Sequence, residues 1–164
     1  MTKKGRESAE AFALQRGFVI QELLGDGLHG NVWKVVSQDR TYQWVVKLHQ
    51  YLPAWRREVL CYERLRQMNT FELRGVSIPR MLSADETWQS IEMTTVTAPF
   101  LLDFGSAWLD ERPDFPPEVW EQAEEQAAEK FEKDWPQARE LIRTLEIETG
   151  IIMGDIHPGN LCLA

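Results

Sequence analysis

β-Branched and aromatic residues gather in three runs within the first fifty positions. Phe18-Val19-Ile20-Gln21-Glu22-Leu23-Leu24, Asn31-Val32-Trp33-Lys34-Val35-Val36 and Tyr42-Gln43-Trp44-Val45-Val46-Lys47-Leu48 predict three strands. The polar connection Gln38-Asp39-Arg40-Thr41 suits a hairpin between the last two. Pro53 then opens a helix running to about Met68, since a first-turn proline has no intrahelical N–H to lose. Trp55, Tyr62, Leu65 and Met68 share one face of it, a core-facing stripe. Two further strands are expected around Gly75–Leu82 and Gln89–Val96, with a turn at Ser83-Ala84-Asp85-Glu86. Beyond Pro99 the pattern becomes helical. Trp120, Ala123, Ala127, Phe131 and Trp135 repeat at helical spacing after Pro116-Pro117. Asp134 and Pro136 mark a break, Ala138, Leu141, Ile142 and Leu145 line a second helix, and Gly150 is placed as its left-handed cap. Residues 151–164 are apolar at both ends and polar in the middle, as in a loop between buried segments. Residues 1–16, polar with a weak stripe at Phe12 and Leu14, read as a loosely packed lead-in. The order is an α+β pattern: five strands with one helix among them, then helices.

At 164 residues, 43% apolar and with seven tryptophans, the chain has enough apolar surface for a proper core. A net charge of −8 argues against a broad basic face, so nucleic acid and anionic lipid are not expected partners. The acidic surplus lies largely between Asp110 and Glu148 and reads as a solvated helix face. No apolar run approaches the ~20 residues of a membrane span. The basic start, Met1 to Glu7, lacks the apolar stretch of a secretory signal. Cys61 and Cys162 form neither a disulfide framework nor a metal spacing, and Cys61 reads as a small core residue. These features fit a reducing, cytoplasmic setting.

Four segments carry residues suited to chemistry. Gly25-Asp26-Gly27-Leu28-His29-Gly30-Asn31-Val32 is a glycine-rich turn with strand-like sequence on both sides, which fits a strand–turn–strand lid over phosphates or a plain hairpin. Lys47 stands in an otherwise apolar strand, where it either snorkels from an edge or meets a buried negative partner. Glu58 shares the helix face of Trp55, Tyr62 and Leu65, so the two can pair and fix a phosphate-binding ammonium; Glu63 lies off that stripe. In Asp155-Ile156-His157-Pro158-Gly159-Asn160, the aspartate and asparagine can face one site across a tight loop, or hydrogen-bond their own backbone as an ordinary turn.

These segments, in this order, resemble the protein-kinase-like superfamily, nearer its aminoglycoside-phosphotransferase-like and atypical bacterial members than ordinary protein kinases. The resemblance spans about residues 17–163. It implies a five-stranded antiparallel N-lobe with one helix over residues 17–97, after a lead-in at 1–16. A partial, mostly helical C-lobe would follow over 98–164. ATP and Mg²⁺ are the implied cofactors. Gly25, Gly27, Gly30 and Val32 would cover the nucleotide, Lys47 would hold its phosphates and Glu58 would be the partner of Lys47. The segment Ile91-Glu92-Met93-Thr94 resembles the hinge, so the backbone at Glu92 and Thr94 would meet the adenine. Asp155 would be the catalytic base and Asn160 a metal ligand.

Three departures accompany the match. Met153-Gly154 stands where a histidine usually begins the catalytic loop, and glycine there suits the phosphotransferase-like branch. The family's Asp-Phe-Gly metal site and remaining helical lobe should follow the catalytic loop, but the sequence stops at Ala164. An Asp103-Phe104-Gly105 does occur, before that loop and just past the hinge; it either replaces the missing metal site or, as expected here, packs at the start of the second lobe. The expectations are therefore a phosphotransferase acting from Mg·ATP on a hydroxyl acceptor, a catalytically dead nucleotide-binding or interaction module, or a partner-binding protein. In the last case Trp108, Trp120, Phe131 or Trp135 would meet a second copy or another protein.

Overall fold

The computed structural model describes residues 3–163. β1 (Phe18–Gly27), β2 (Gly30–Ser37) and β3 (Gln43–His49) form a continuous meander. Helix α2 (Leu52–Gln67) follows the opening helix α1 (Lys3–Arg16) in chain order, then β4 (Glu72–Leu73), β5 (Val76–Ser77), β6 (Met81–Asp85) and β7 (Ser90–Met93). The main sheet is antiparallel throughout, in the order β1-β2-β3-β7-β6. An α+β fold built on a five-stranded antiparallel sheet is thus observed.

Alternation along β3 divides the interior in two, because successive strand side chains point to opposite faces. Val45 joins Trp55, Tyr62, Leu65, Ile91 and Met93 in the larger core beneath α2. Val46 and Leu48 point the other way, into a second cluster with Trp33, Val35 and Phe18. Helix α1 covers that second face, contributing Ala9, Phe12 and Ala13. The Phe12 ring lies 5.5 Å from Phe18 and 5.4 Å from Trp88, centroid to centroid. The expected loose lead-in is therefore a packed helix, with Leu14 outside its stripe and 86% exposed.

The sequence places the turn after β6 three residues early. Ser83 to Asp85 belong to β6, and the reversal falls at residues 86–89. A second difference is larger. Residues 100–109 do not begin a helix; they form β8 (Phe100–Leu101) and β9 (Trp108–Leu109). Two-residue strands have no periodicity of their own, and tertiary pairing alone defines them. The helices come later, as α3 (Pro117–Phe131), a 3₁₀ turn (Glu132–Asp134) and α4 (Trp135–Thr149). Gly150 caps α4 at φ 73°, its N–H donated to Glu146 O at 2.9 Å, as the sequence predicts. β10 (Ile151–Ile152) pairs with β9, and β11 (Leu161–Cys162) pairs with β8. The latter pair continues into a four-stranded sheet, β11-β8-β5-β4.

Arg64 of α2 fastens the helical part to the sheet. Its guanidinium meets both Asp110 carboxylate oxygens, at 2.8 and 2.6 Å, and donates to Thr149 O at 2.7 Å. Trp108, Phe115 and Trp120 stack on one another at 5.9–6.2 Å, and Phe131 is buried against Trp135. Among the described residues no helix is long and apolar enough to cross a membrane.

Candidate functional site

Lys47 lies in β3 between β2 and β7, not on an edge, and is 3% exposed. Its Nζ donates to Glu58 Oε2 at 2.6 Å and to Asp103 Oδ1 at 2.7 Å. Glu58 is fully buried on α2, while Glu63 stays at the margin. Glu58 Oε2 also meets His49 Nε2 at 2.8 Å, and His49 Nδ1 faces Gln89 O at 3.1 Å. His49 reaches the same carboxylate as Lys47 because residues two apart on a strand share a face. Two cationic or hydrogen-bonding groups from β3 thus meet two carboxylates, from α2 and from the turn after β8.

Burial works most strongly against the charge on Lys47, but the carboxylates of Glu58 and Asp103 outweigh it and hold the ammonium above the ordinary lysine range. Burial likewise opposes ionisation of Glu58 and Asp103, yet the Lys47 charge and hydrogen bonds leave both below the usual carboxylate range. Next to them the Cys61 thiol is pushed up to about 12 by burial and the Glu58 charge, so it is an inert core group.

Asp103, at the start of the second lobe, is brought by the structure into the lysine–glutamate pair. Phe104 is fully buried edge-on to Tyr62, with centroids 5.2 Å apart, and this anchors the turn. Asp103 itself takes a positive φ of 62°, which aspartate tolerates better than most residues. Its Oδ1 accepts the Gly105 N–H at 3.2 Å, and Arg57 Nε of α2 donates to Gly105 O at 3.0 Å.

Over this centre lies the glycine-rich turn. It is the expected strand–turn–strand, with Gly27 opposite Gly30, Asp26 opposite Asn31 and Gly25 opposite Val32. Asn31 Nδ2 donates to Asp26 Oδ1 at 2.8 Å across the turn. Gly30 is required: a Cβ there would strike the carbonyl of Leu48, so the turn is pressed onto β3. Val32 is half-buried against the larger core, on the Lys47 side of the sheet.

The loop from Asp155 to Asn160 is held from within. Asn160, 3% exposed, donates Nδ2 to Asp155 O at 2.5 Å and accepts the His157 N–H on Oδ1 at 3.0 Å. Gly159 N–H donates to His157 Nδ1 at 3.0 Å. Met153, where the resembled family has a histidine, sits in the apolar core. The Asp155 carboxylate remains open to solvent, with His157 Nε2 3.6 Å away. Asn160 O accepts the Leu102 N–H at 2.7 Å, next to the Leu161–Leu101 pair. One residue beyond Leu102 stands Asp103. The β8–β11 pair therefore joins the Asp155–Asn160 loop to the Lys47 centre, although the two segments occur in the reverse of the expected order.

Gly154 makes this junction close-packed. A Cβ there would overlap Ser106 O and the indole of Trp108. Gly154→Ala is expected to cost about 1–3 kcal/mol by overpacking, read from the urea midpoint. A midpoint equal to that of the parent would show that both the Ser106 carbonyl and Trp108 are free to yield.

Glu92 lies in β7, and Thr94 directly follows that strand. Glu92 is in mid-strand between Val46 and Ser83, and its carboxylate accepts from Trp44 Nε1 at 2.9 Å and Ser83 Oγ at 3.0 Å. The Thr94 N–H is donated to Arg80 O and its hydroxyl accepts the Arg80 N–H, each at 2.9 Å. The Thr94 N–H is therefore already engaged within the protein. His49 escaped sequence reasoning, though its place two residues after Lys47 on a strand was a readable signal. Among the described residues, no group of three or more His, Cys, Asp or Glu side chains could by itself hold a metal ion. No protein-family model matches the chain, and no curated protein matches it significantly.

Proposed function

We propose that the chain is a kinase-like ATP-binding protein that transfers phosphate from Mg·ATP to a hydroxyl acceptor. The observation carrying this reading is Lys47 gripped by Glu58 at 2.6 Å and Asp103 at 2.7 Å beneath a glycine turn. Such a lysine is a fixed point charge for phosphates. Asp103 has only Oδ1 engaged and keeps part of its surface exposed, leaving a hard oxygen donor of the kind Mg²⁺ takes. Asn160 would supply a second oxygen, and two protein oxygens with the rest from phosphates and water suit Mg²⁺ better than a closed protein cage. The ion, when bound, neutralises phosphate charge. Asp155, exposed on its loop, would accept the proton of the acceptor hydroxyl. The base would then meet backbone beyond Thr94, because that residue's N–H is already committed.

One observation favours a second reading, binding without transfer. The Asn160 amide is engaged at both ends inside its own loop, so its oxygen has one lone pair left for a metal. Transfer of labelled γ-phosphate to the protein itself, to protein mixtures and to small alcohols separates the two. Loss of transfer in Asp155→Asn with ATP affinity retained supports the enzyme. Tight Mg·ATP binding with no transfer by the parent supports the binding module. Nucleotide affinity unaltered by Lys47→Ala would overturn both.

A further inference from the structure

The imidazole of His29 has no role in the reading above, yet it stands at the centre of the site. A Cβ placed on Gly105 would lie 3.2 Å from His29 Cγ and 3.3 Å from both Asp103 Oδ1 and Glu58 Oε2. Three side chains, from the glycine turn, α2 and the turn after β8, thus converge on one point beside Lys47. The His29 backbone is fixed there, its carbonyl accepting the Gln50 N–H at 3.1 Å, while neighbouring Gly30 is pressed onto β3. Next along the turn, Leu28 is 89% exposed, so His29 alone at the tip turns inward. Its ring is half-buried, and neither ring nitrogen has a hydrogen-bond partner among the described residues.

We infer that His29 donates a ring N–H to the terminal phosphate of a bound nucleoside triphosphate, as a specificity-determining residue that distinguishes triphosphate from diphosphate. The inference rests on the nucleotide reading of this site. Lys47 lies on the floor of the site, in β3, and the outer phosphates belong beside the metal-facing Asp103. His29 is on that side. A single N–H suffices, because either tautomer of a neutral imidazole keeps one donor.

Calorimetric titration with Mg²⁺ and either ADP or a non-hydrolysable ATP analogue tests this. His29→Ala is expected to weaken the triphosphate about tenfold, as for one hydrogen bond to a charged group, and ADP by less than about twofold. His29→Gln, which keeps an N–H donor, should restore most of the difference. Equal losses for both nucleotides, or no loss, would overturn the role of His29 while leaving the nucleotide reading intact. A parent protein that binds neither nucleotide would overturn both.

Discussion

Replacing Lys47 with methionine is expected to destabilise the protein by about 3–5 kcal/mol, measured by urea unfolding, because a buried ion pair loses one partner. Glu58 is fully buried, and in the variant only His49 would oppose its charge. One carboxylate oxygen, Oε1, already lacks a hydrogen-bond partner, so Glu58 has no reserve contact to fall back on. The double variant Lys47→Met with Glu58→Leu should recover most of the loss, since apolar replacements of similar volume remove the stranded charge. Both variants should lose nucleotide affinity alike, which separates the structural role of the pair from its binding role. A double variant no more stable than the single one would sink this account. Acidity offers a second check. In the fold, Glu58 and Asp103 titrate below their ordinary range, so their contribution is present above about pH 4 and fades as pH falls through the lower folded values. Lys47 is held above its ordinary range, so its contribution is complete below about pH 10 and is lost only beyond it. The stability gap between parent and single variant should therefore narrow on acidification, the more so because a protonated Glu58 is easier to bury. A gap that widens in acid would contradict the pairing.

Much of this centre was legible in the sequence because strand and helix periods act over short distances. Lys47 within an apolar strand and Glu58 on an apolar helix stripe are local facts, and burying both faces forces them together. The glycine turn was legible for the same reason, since β-branched residues on both sides exclude a helix start. Helix α1 was less so: its buried set is Ala9, Phe12 and Ala13, and two alanines scarcely mark an apolar face. β8 and β9 could not be read at all, being two-residue strands defined by pairing with β11 and β5 and with β10 rather than by any period of their own. With β8 went Asp103. Its apolar approach, Pro99 to Leu102, was visible, but the order of segments in the resembled family directed attention to residues after Asn160. Spatial adjacency depends on which strands pair, and the β8–β11 pair forms whichever strand comes first in the chain.

That independence from chain order leads to the sharpest expectation. If the proposed function holds, Asp103→Asn should abolish the gain in ATP affinity expected from Mg²⁺, and should lower phosphate transfer at least about 100-fold, a typical loss for a group that stabilises developing charge. The fold should persist, because Lys47 keeps Glu58 at 2.6 Å, Phe104 remains the buried anchor of the turn, and Arg57 still holds the Gly105 carbonyl. Asp155→Asn is the contrasting case. Its carboxylate is exposed and bonds to neither Lys47 nor Asn160, so it should lose transfer while retaining Mg²⁺-dependent ATP affinity. The two variants thus separate metal holding from proton acceptance, with calorimetry in the presence and absence of Mg²⁺ as the common readout. If Asp103→Asn binds Mg·ATP as well as the parent does, then Asp103 only braces Lys47, and the metal site belongs elsewhere.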